Sequence, residues 1–267
     1  MIAPPPPSLL AAIELAPRDP ILGITEAFVA DTNPHKVNLG VGVYCDDHGK
    51  VPLLECVKRA ERELTAHAAP RGYLPIDGLA VYDKAVQALL FGTDGEIVQS
   101  GRAITVQALG GTGGLKVGAD FLKRLNPSAR VLISDPSWEN HRALFTGAGF
   151  EVATYAYYDE QARGVRFDAM LAALDAAPRG TVVVLHACCH NPTGYDLTPA
   201  QWDQVVRSAQ MQGWVPFLDM AYQGFGQGIA EDAVAVDKFL GAGVNFFVAT
   251  SFSKSFSLYG ERVGALS

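Results

Sequence analysis

Short apolar runs and longer amphipathic segments alternate along most of the 267-residue chain. The short runs are rich in β-branched residues and are bounded by glycine, proline or small polar residues, a pattern typical of buried strands. They predict strands at residues 104–109, 130–134, 151–155, 181–187, 215–219 and 246–250.

The longer segments repeat apolar residues at a helical period and predict the helices that separate those strands. Regular alternation of strand and helix is typical of an α/β fold, with a mostly parallel sheet and helices on both of its faces. The predicted helices cover residues 54–68, 78–91, 115–125, 137–146, 167–176, 199–212 and 230–240.

Polar, glycine and reactive residues follow the predicted strands at the point where each one ends. The carboxyl ends of parallel strands meet at one edge of a sheet, and ligands of α/β proteins bind there. We therefore expect a binding site at this edge. The residues that it would bring together are Gly111, Thr112, Trp138, Asn191, Asp219, Tyr222, Ser251 and Lys254.

The glycine-rich sequence 110–114 is predicted to be a loop between a strand and a helix that starts near Leu115. Glycines allow a ligand to approach the backbone, and the free N–H groups of a helix N-terminus bind anions. The spacing matches neither a nucleotide P-loop nor a dinucleotide fingerprint, because Lys116 comes too late and no Ser or Thr follows it. Taken alone, the sequence is equally compatible with a tight turn.

Lys254 follows a strand that is predicted to be buried, whereas most lysines lie on exposed helix faces. Desolvation lowers the pKa of an amine and favours its neutral, nucleophilic form. Arg262 lies a few residues downstream and is suited to clamp a phosphate, although an ordinary salt bridge explains it equally well.

Asp219 ends an apolar strand, and a buried carboxylate needs a partner. The protonated pyridine nitrogen of pyridoxal phosphate is such a partner. Tyr222 and Asn191 are placed to hydrogen-bond the phenolic oxygen of that cofactor, and Trp138 offers a flat face for its ring. Each residue alone has an ordinary structural explanation, but their combination with a lysine and an anion-binding loop is uncommon.

Composition excludes several classes of function. The net charge is −7 and the isoelectric point is near 5.3, which disfavours binding to nucleic acid or to an anionic membrane surface. Mean hydropathy is +0.13, but the apolar runs are far shorter than the ~20 residues that a spanning helix needs. No basic leader precedes the first apolar stretch, so we expect no signal peptide and a cytoplasmic protein.

The four cysteines do not form a disulfide framework, because two of them, Cys188 and Cys189, are adjacent. The sequence His-Ala-Cys-Cys-His at 186–190 suggests a metal site. Neighbouring side chains of a strand point to opposite faces, however, and no second Cys or His pair completes a tetrahedral set. We therefore predict buried structural thiols and no metal.

Five motifs together resemble the aspartate and aromatic-amino-acid aminotransferases. They are GGTG at 110–113, DPSWENH at 135–141, CCHNPTG at 188–194, DMAYQGF at 219–225 and SFSKSFSLYGERVG at 251–264, and the resemblance runs from Asp19 to the last residue. It implies the aspartate aminotransferase fold (fold type I), pyridoxal 5′-phosphate as cofactor and a homodimer with active sites at the subunit interface. The implied reaction moves an amino group from an aromatic or acidic L-amino acid to a 2-oxo acid.

The resemblance also assigns roles to individual residues. Lys254 resembles the Schiff-base lysine that moves the substrate proton, and Asp219 resembles the partner of the pyridine nitrogen. The remaining roles are the phenolic-oxygen pair Tyr222 and Asn191, the phosphate ligands Gly111, Thr112, Ser251 and Arg262, the ring-stacking Trp138, the phosphate-binding Tyr73 of the neighbouring subunit, and a substrate side that includes Gly42, Trp138 and Asn191.

By the same resemblance, residues 1–47 form an N-terminal arm and part of a small domain, and residues 48–267 form the cofactor-binding large domain. Family members continue beyond the position of Ser267, and their last segment carries the arginines that bind substrate carboxylates. We therefore expect an incomplete small domain, weak turnover by these residues alone and a tendency to aggregate.

The substrate is less well defined by the motifs than the cofactor. The sequences at 138–141, 164–167 and 255–260 are more similar to the aromatic (tyrosine) branch. An aspartate aminotransferase, a related pyridoxal-phosphate lyase and a weakly active or inactive cofactor-binding relative remain alternatives.

Overall fold

The structure is a computed structural model that describes residues 9–15, 22–38, 40 and 42–267. The chain divides into two compact units, Met1–Val51 and Pro52–Ser267. The first contains a 3₁₀ turn, Leu9–Ala12, and helix α1, Leu22–Ala30. The proline sequence 4–7 and the start of the family resemblance at 19–21 lie outside the described residues. The division at residue 47 into an arm and a large domain stays a prediction.

The second unit contains the strands and helices that the hydrophobic pattern predicts. Its helices are α2 (Glu55–Ala66), α3 (Ala80–Phe91), α4 (Glu96–Gln99), α5 (Gly110–Leu125), α6 (Glu139–Gly147), α7 (Phe167–Asp175), α8 (Pro199–Gln212) and α9 (Val234–Gly241). Its strands are β1 (Val106–Leu109), β2 (Arg130–Asp135), β3 (Glu151–Ala156), β4 (Tyr158–Asp159), β5 (Gly164–Val165), β6 (Val182–His186), β7 (Val215–Met220), β8 (Phe247–Ser251) and β9 (Val263–Leu266).

Seven strands form one sheet in the order β1-β9-β8-β7-β6-β2-β3. Strands β8, β7, β6, β2 and β3 are parallel, whereas β9 runs antiparallel to both β8 and β1. The short strands β4 and β5 form a separate hairpin. The predicted α/β fold with a mostly parallel sheet is confirmed.

Helices cover both faces of the sheet. Val183 and Leu185 of β6 pack into an apolar cluster with residues of α3, α7, α8 and α9, and Val182 and Val184 pack on the opposite face with α5 and α6. Alternate side chains of a strand point to opposite faces, so a strand buried on both sides needs an unbroken apolar run. Residues 182–185 supply one, and this explains why the pattern located β6 correctly.

The glycine-rich sequence is helical, and the prediction of a loop that ends near Leu115 was wrong. Helix α5 begins at Gly110, directly after β1. A Cβ atom on Gly114 would lie 2.7 Å from the carbonyl oxygen of Ala265, and one on Gly118 would lie 2.5 Å from the ring of Phe217. The glycines are therefore needed because α5 lies against the sheet, and they do not form a flexible loop.

The predicted helix at residues 230–240 is broken into a 3₁₀ turn, Glu231–Ala233, and α9. The carboxylate of Asp232 accepts hydrogen bonds from the backbone N–H groups of Gly224, Gly226 and Gln227, at 2.8–2.9 Å. Because these bonds fix the preceding loop, the chain turns before it can continue as an α-helix. Within the described parts of the chain, no helix has the length and apolarity to cross a membrane.

Candidate active site

A cup of polar groups lies where β1, β8 and β9 meet; we use the name cup for Gly110, Gly111, Thr112, Ser251, Ser253 and Arg262. Strand β1 runs directly into α5, and no side chain of the described residues caps the N-terminus of this helix. The first N–H groups of a helix have no intrahelical partner, and the helix dipole adds positive potential there. A Cβ on Gly111 would lie 2.9 Å from the Cβ of Ser251, so glycine lets the helix N-terminus approach β8.

Arg262 closes the cup from the start of β9. Its Nη1 donates hydrogen bonds to Ser253 Oγ at 3.2 Å and to the carbonyl oxygen of Tyr259 at 2.9 Å. A Cβ on Gly110 would lie 2.6 Å from Arg262 Nη2, so the guanidinium rests against the first residue of α5. The backbone of Arg262 adopts a left-handed conformation, with φ at 55°. Non-glycine residues rarely do so, and such strain is concentrated at functional sites.

Lys254 lies close enough to Arg262 of the cup and to the carboxylate of Asp219 to interact with both charges. Burial lowers the pKa of its amine, the negative charge of Asp219 opposes this shift, and the positive charge of Arg262 lowers the pKa further. The Nζ atom lies 5.1 Å from the centroid of the Tyr222 ring. An amine with a lowered pKa is neutral more often near pH 7, and the neutral form is the nucleophile.

Asp219, Ser137 and His141 form a hydrogen-bonded chain beneath the site. Oδ2 of Asp219 lies 2.8 Å from Nε2 of His141, and Nδ1 of the same ring lies 2.9 Å from Ser137 Oγ. Since a carboxylate only accepts hydrogen bonds, Nε2 carries a hydrogen and donates it to Asp219. His141 is fully buried and Asp219 nearly so, which holds the carboxylate in one orientation.

Tyr222 and Asn191 meet at the same edge of the sheet. Burial raises the pKa of the Tyr222 hydroxyl, the charge of Asp219 raises it further, and a hydrogen bond with the side chain of Asn191 opposes these shifts. Trp138 is half-buried and contacts His141 edge-on, with ring centroids 5.4 Å apart. Tyr222 therefore lies close to Asp219, and Trp138 contacts the His141 ring that is bonded to Asp219.

Two further histidines, His186 and His190, pack next to the His141 ring. The His186 ring lies 4.9 Å from that of His141 and 4.3 Å from that of His190. His190 stacks on Tyr157 and is bonded to Ser134 and Thr193, each at 2.9 Å. Burial is the largest cause of a lowered pKa in both rings, to about 4 in His190 and well below its usual value in His186. We call His141, His186 and His190 the histidine layer.

Comparison with known proteins identifies the family. Residues 34–267 match the family described as Aminotransferase class I and II.

The chain belongs to this family.

It is 62% identical to an aspartate aminotransferase of Pseudomonas aeruginosa and 52% identical to an aromatic-amino-acid aminotransferase of Escherichia coli, over 97% and 93% of its length. A solved aromatic-amino-acid aminotransferase of Burkholderia pseudomallei, covalently bound to pyridoxal phosphate, is 64% identical and superposes with a TM-score of 0.95. The match covers 97% of this chain and 65% of that one. The chain likewise spans 65% and 63% of the two curated aminotransferases.

The aminotransferase fold brings most of the predicted site residues together. Tyr73 is not part of this cluster, because it is fully exposed and contributes nothing to the cup of its own chain. Gly42 lies in the first unit, and its substrate-side role stays a prediction.

Sequence reasoning missed the histidine layer and Ser253. His141 lies in the predicted helix at 137–146, four residues before the buried Phe145, so its position on the core face could have been recognised. Its contact with Asp219 joins residues 78 positions apart, and no local pattern predicts it. Ser253 is buried beside Arg262, whereas the sequence showed only one of several nearby serines.

Proposed function

We propose that the chain holds pyridoxal 5′-phosphate covalently on Lys254 and serves in amino-group transfer between an L-amino acid and a 2-oxo acid. The observation that supports this most strongly is the position of Lys254. Its amine has a lowered pKa and interacts with both Arg262 of the cup and the buried carboxylate of Asp219. The solved relative from Burkholderia, which carries this cofactor covalently, adds support.

The residues present fit this cofactor. The cup offers the N-terminus of α5, two serine hydroxyls and the guanidinium of Arg262, a set suited to a phosphate dianion. Asp219 offers a carboxylate that already has one oxygen bonded to His141. A protonated ring nitrogen would satisfy the demand of this buried charge for a cationic partner. Tyr222 and Asn191 would bind the phenolic oxygen.

Each residue would have a defined task in the reaction. When bound, pyridoxal phosphate supplies an electron-accepting ring that stabilises negative charge on the substrate Cα. Neutral Lys254 Nζ would accept the Cα proton and return it, which is general base and then general acid catalysis by one group. Asp219 would hold a proton on the ring nitrogen, and His141 with Ser137 would fix the orientation of Asp219.

We propose aromatic and acidic L-amino acids as substrates, with a preference for aromatic ones. Relatives named for both substrate classes match this chain, so neither class is excluded. We also propose that the protein is a cytoplasmic homodimer. In this dimer Tyr73 would reach the phosphate of the neighbouring subunit, and the complete exposure of Tyr73 supports this role.

Borohydride trapping tests the covalent assignment. The purified chain is incubated with pyridoxal 5′-phosphate and reduced, and intact-mass and peptide analysis locate the adduct. We expect one adduct on Lys254, and none in Lys254→Ala. Lys116→Ala is the matched control, since this amine is exposed and pairs only with Asp120 among the described residues, and it should leave the adduct unchanged. An adduct on another lysine contradicts the proposal.

Single-turnover transfer tests the substrate class. The decrease in absorbance of the bound cofactor is measured over time after phenylalanine, tyrosine or aspartate is added as amino donor. We expect transfer from all three, faster from the aromatic pair. Faster transfer from aspartate would reverse the proposed preference, and carbon–carbon cleavage products without 2-oxo acid would indicate a lyase.

A further inference from the structure

A cluster of sulfur atoms lies next to the candidate active site and takes no part in the proposed reaction. Cys188 and Cys189 follow β6, and their sulfurs and the carboxylate of Asp232 all lie within 4.8 Å of one another. Cys188 is buried and Cys189 half-exposed. Two features of the sequence argued against a metal at these cysteines: neighbouring side chains of a strand point to opposite faces, and no second Cys or His pair completes a tetrahedral set. The structure removes the first objection, and it places groups other than a Cys or His pair beside the two thiols.

The two thiols lie on the same side of the chain because Cys189 is not extended. Its φ is 50°, a left-handed conformation that breaks the alternation of a strand. The carboxylate of Asp196 accepts hydrogen bonds from the N–H groups of Cys189 and His190, at 2.7 and 2.8 Å, and stabilises this turn. The sulfurs of these adjacent cysteines are therefore close enough to bind the same metal ion.

A third sulfur comes from the neighbouring strand β7. The thioether of Met220 lies 3.7 Å from the Cys188 sulfur, and the Met220 side chain is fully buried. The Cys188 sulfur therefore has the Met220 sulfur at 3.7 Å and the Cys189 sulfur within 4.8 Å, whereas two ligands of one metal, each at the usual metal–thiolate distance of about 2.3 Å, lie up to about 4.6 Å apart. A set of two thiols and a thioether is soft, and soft sulfur ligands select monovalent copper among biological metals.

The surroundings of the cluster favour a cation. Asp232 is buried, and backbone N–H groups of Gly224, Gly226 and Gln227 orient its carboxylate. Its negative charge therefore lies within 4.8 Å of both thiols. The apolar environment of Cys188 and Met220 keeps water from competing, and the half-exposed Cys189 leaves a path for entry.

We propose that Cys188, Cys189 and Met220 bind one monovalent copper ion. Binding breaks two S–H bonds and forms two copper–thiolate bonds; the two protons pass to the buffer, and no electron is transferred. The thioether of Met220 donates a lone pair without losing a proton. The assignment is independent of the cofactor on Lys254.

Anaerobic titration of the purified chain with Cu(I), against a chromogenic Cu(I) chelator, tests the proposal. We expect one tightly held ion per chain. Cys188→Ser and Cys189→Ser should each weaken binding by at least about 100-fold, and Met220→Leu by about tenfold, the lower end of what losing a supporting group costs a metal site. The double variant Cys45→Ser/Cys56→Ser is the matched control, because both thiols are exposed, and it should bind like the parent chain.

X-ray absorption at the copper edge distinguishes a built site from a loose thiol adduct. We expect three sulfur neighbours in the parent chain and two in Met220→Leu, a change that conserves volume and that a circular dichroism spectrum should show to be folded. Two sulfur neighbours in the parent chain, unchanged affinity in either serine variant, or tighter binding of Zn²⁺ with oxygen ligands would each overturn the assignment.

Discussion

The cup and the histidine layer are built in opposite ways. Backbone supplies the N–H groups of the cup, because glycines at 110 and 111 let α5 approach β8 and β9. Side chains supply the histidine layer, in which the rings of His141, His186 and His190 are tilted against one another and His141 is bonded to Asp219. The cup therefore depends on glycines that allow close backbone approach. The histidine layer depends on the protonation state of its side chains.

This difference assigns separate tasks to the two regions. The cup presents fixed positive potential, which suits retention of an anion and changes little with pH. The histidine layer sets the orientation and surroundings of one carboxylate, which suits control of reactivity. Damage to the cup should thus release the cofactor, and damage to the layer should slow chemistry on cofactor that stays bound.

The largest effect is expected from Asp219→Asn. An amide cannot hold a proton on the ring nitrogen, so single-turnover transfer should slow by about 10²–10³-fold, the usual loss when a preorganised electrostatic group is removed. Cofactor retention, measured by equilibrium dialysis, should stay within about tenfold of the parent chain, because the cup and Lys254 are unchanged. Loss of retention without loss of rate would contradict the division of tasks.

A smaller effect, on stability, is expected from the histidine layer as pH falls. The unfolded His190 ring gains a proton below a pKa of 6.5, whereas the buried ring gains one only near 4. The unfolded state therefore binds more protons between these values, and the free energy of unfolding falls as pH drops from about 6.5 to 4. The contribution is on the order of 3 kcal/mol.

Denaturant unfolding at pH 7 and at pH 4.5 measures this effect. His190→Asn loses the titrating ring, so its stability should fall less between the two pH values than that of the parent chain. Carboxylates that titrate in the same range contribute equally to the loss of stability in both proteins, so they do not affect the difference between them. Equal losses in the two proteins would show that His190 is not the group responsible.

The smallest effect is expected from Gly264→Ala, which acts on the cup alone. A Cβ at this position would lie 2.3 Å from the carbonyl carbon of Gly110, so β9 must move away from α5. We expect about 2 kcal/mol lower stability, in the range for overpacking, together with weaker cofactor binding. Gly260→Ala is the control, because its Cβ would meet no atom within 4 Å. Similar cofactor affinities in the two variants would argue against a cup that depends on close backbone approach.

The same contrast explains what the sequence could predict. Lys254 and Asp219 were found because strand ends are local patterns, and parallel strands place all of those ends at one edge. The glycines were predicted to lie in a loop suited to an anion, and their helical conformation was missed, since α5 is in contact with Ala265, some 150 residues later. The contact between Asp219 and His141 joins separate elements, and so does the contact between the sulfurs of Met220 and Cys188. The local spacing of residues predicts neither contact.

The antiparallel strand β9 has a consequence for the order of assembly. Val106 of β1 pairs with Leu266 of β9, so this pairing closes a loop of about 160 residues. Contacts of such long range form slowly, because the entropy of loop closure opposes them until neighbouring elements are in place. Arg262 joins Gly110 only when β9 docks between β1 and β8. Affinity for an anion is therefore acquired late, after the parallel strands have assembled, and a bound phosphate would then stabilise the contact that forms last.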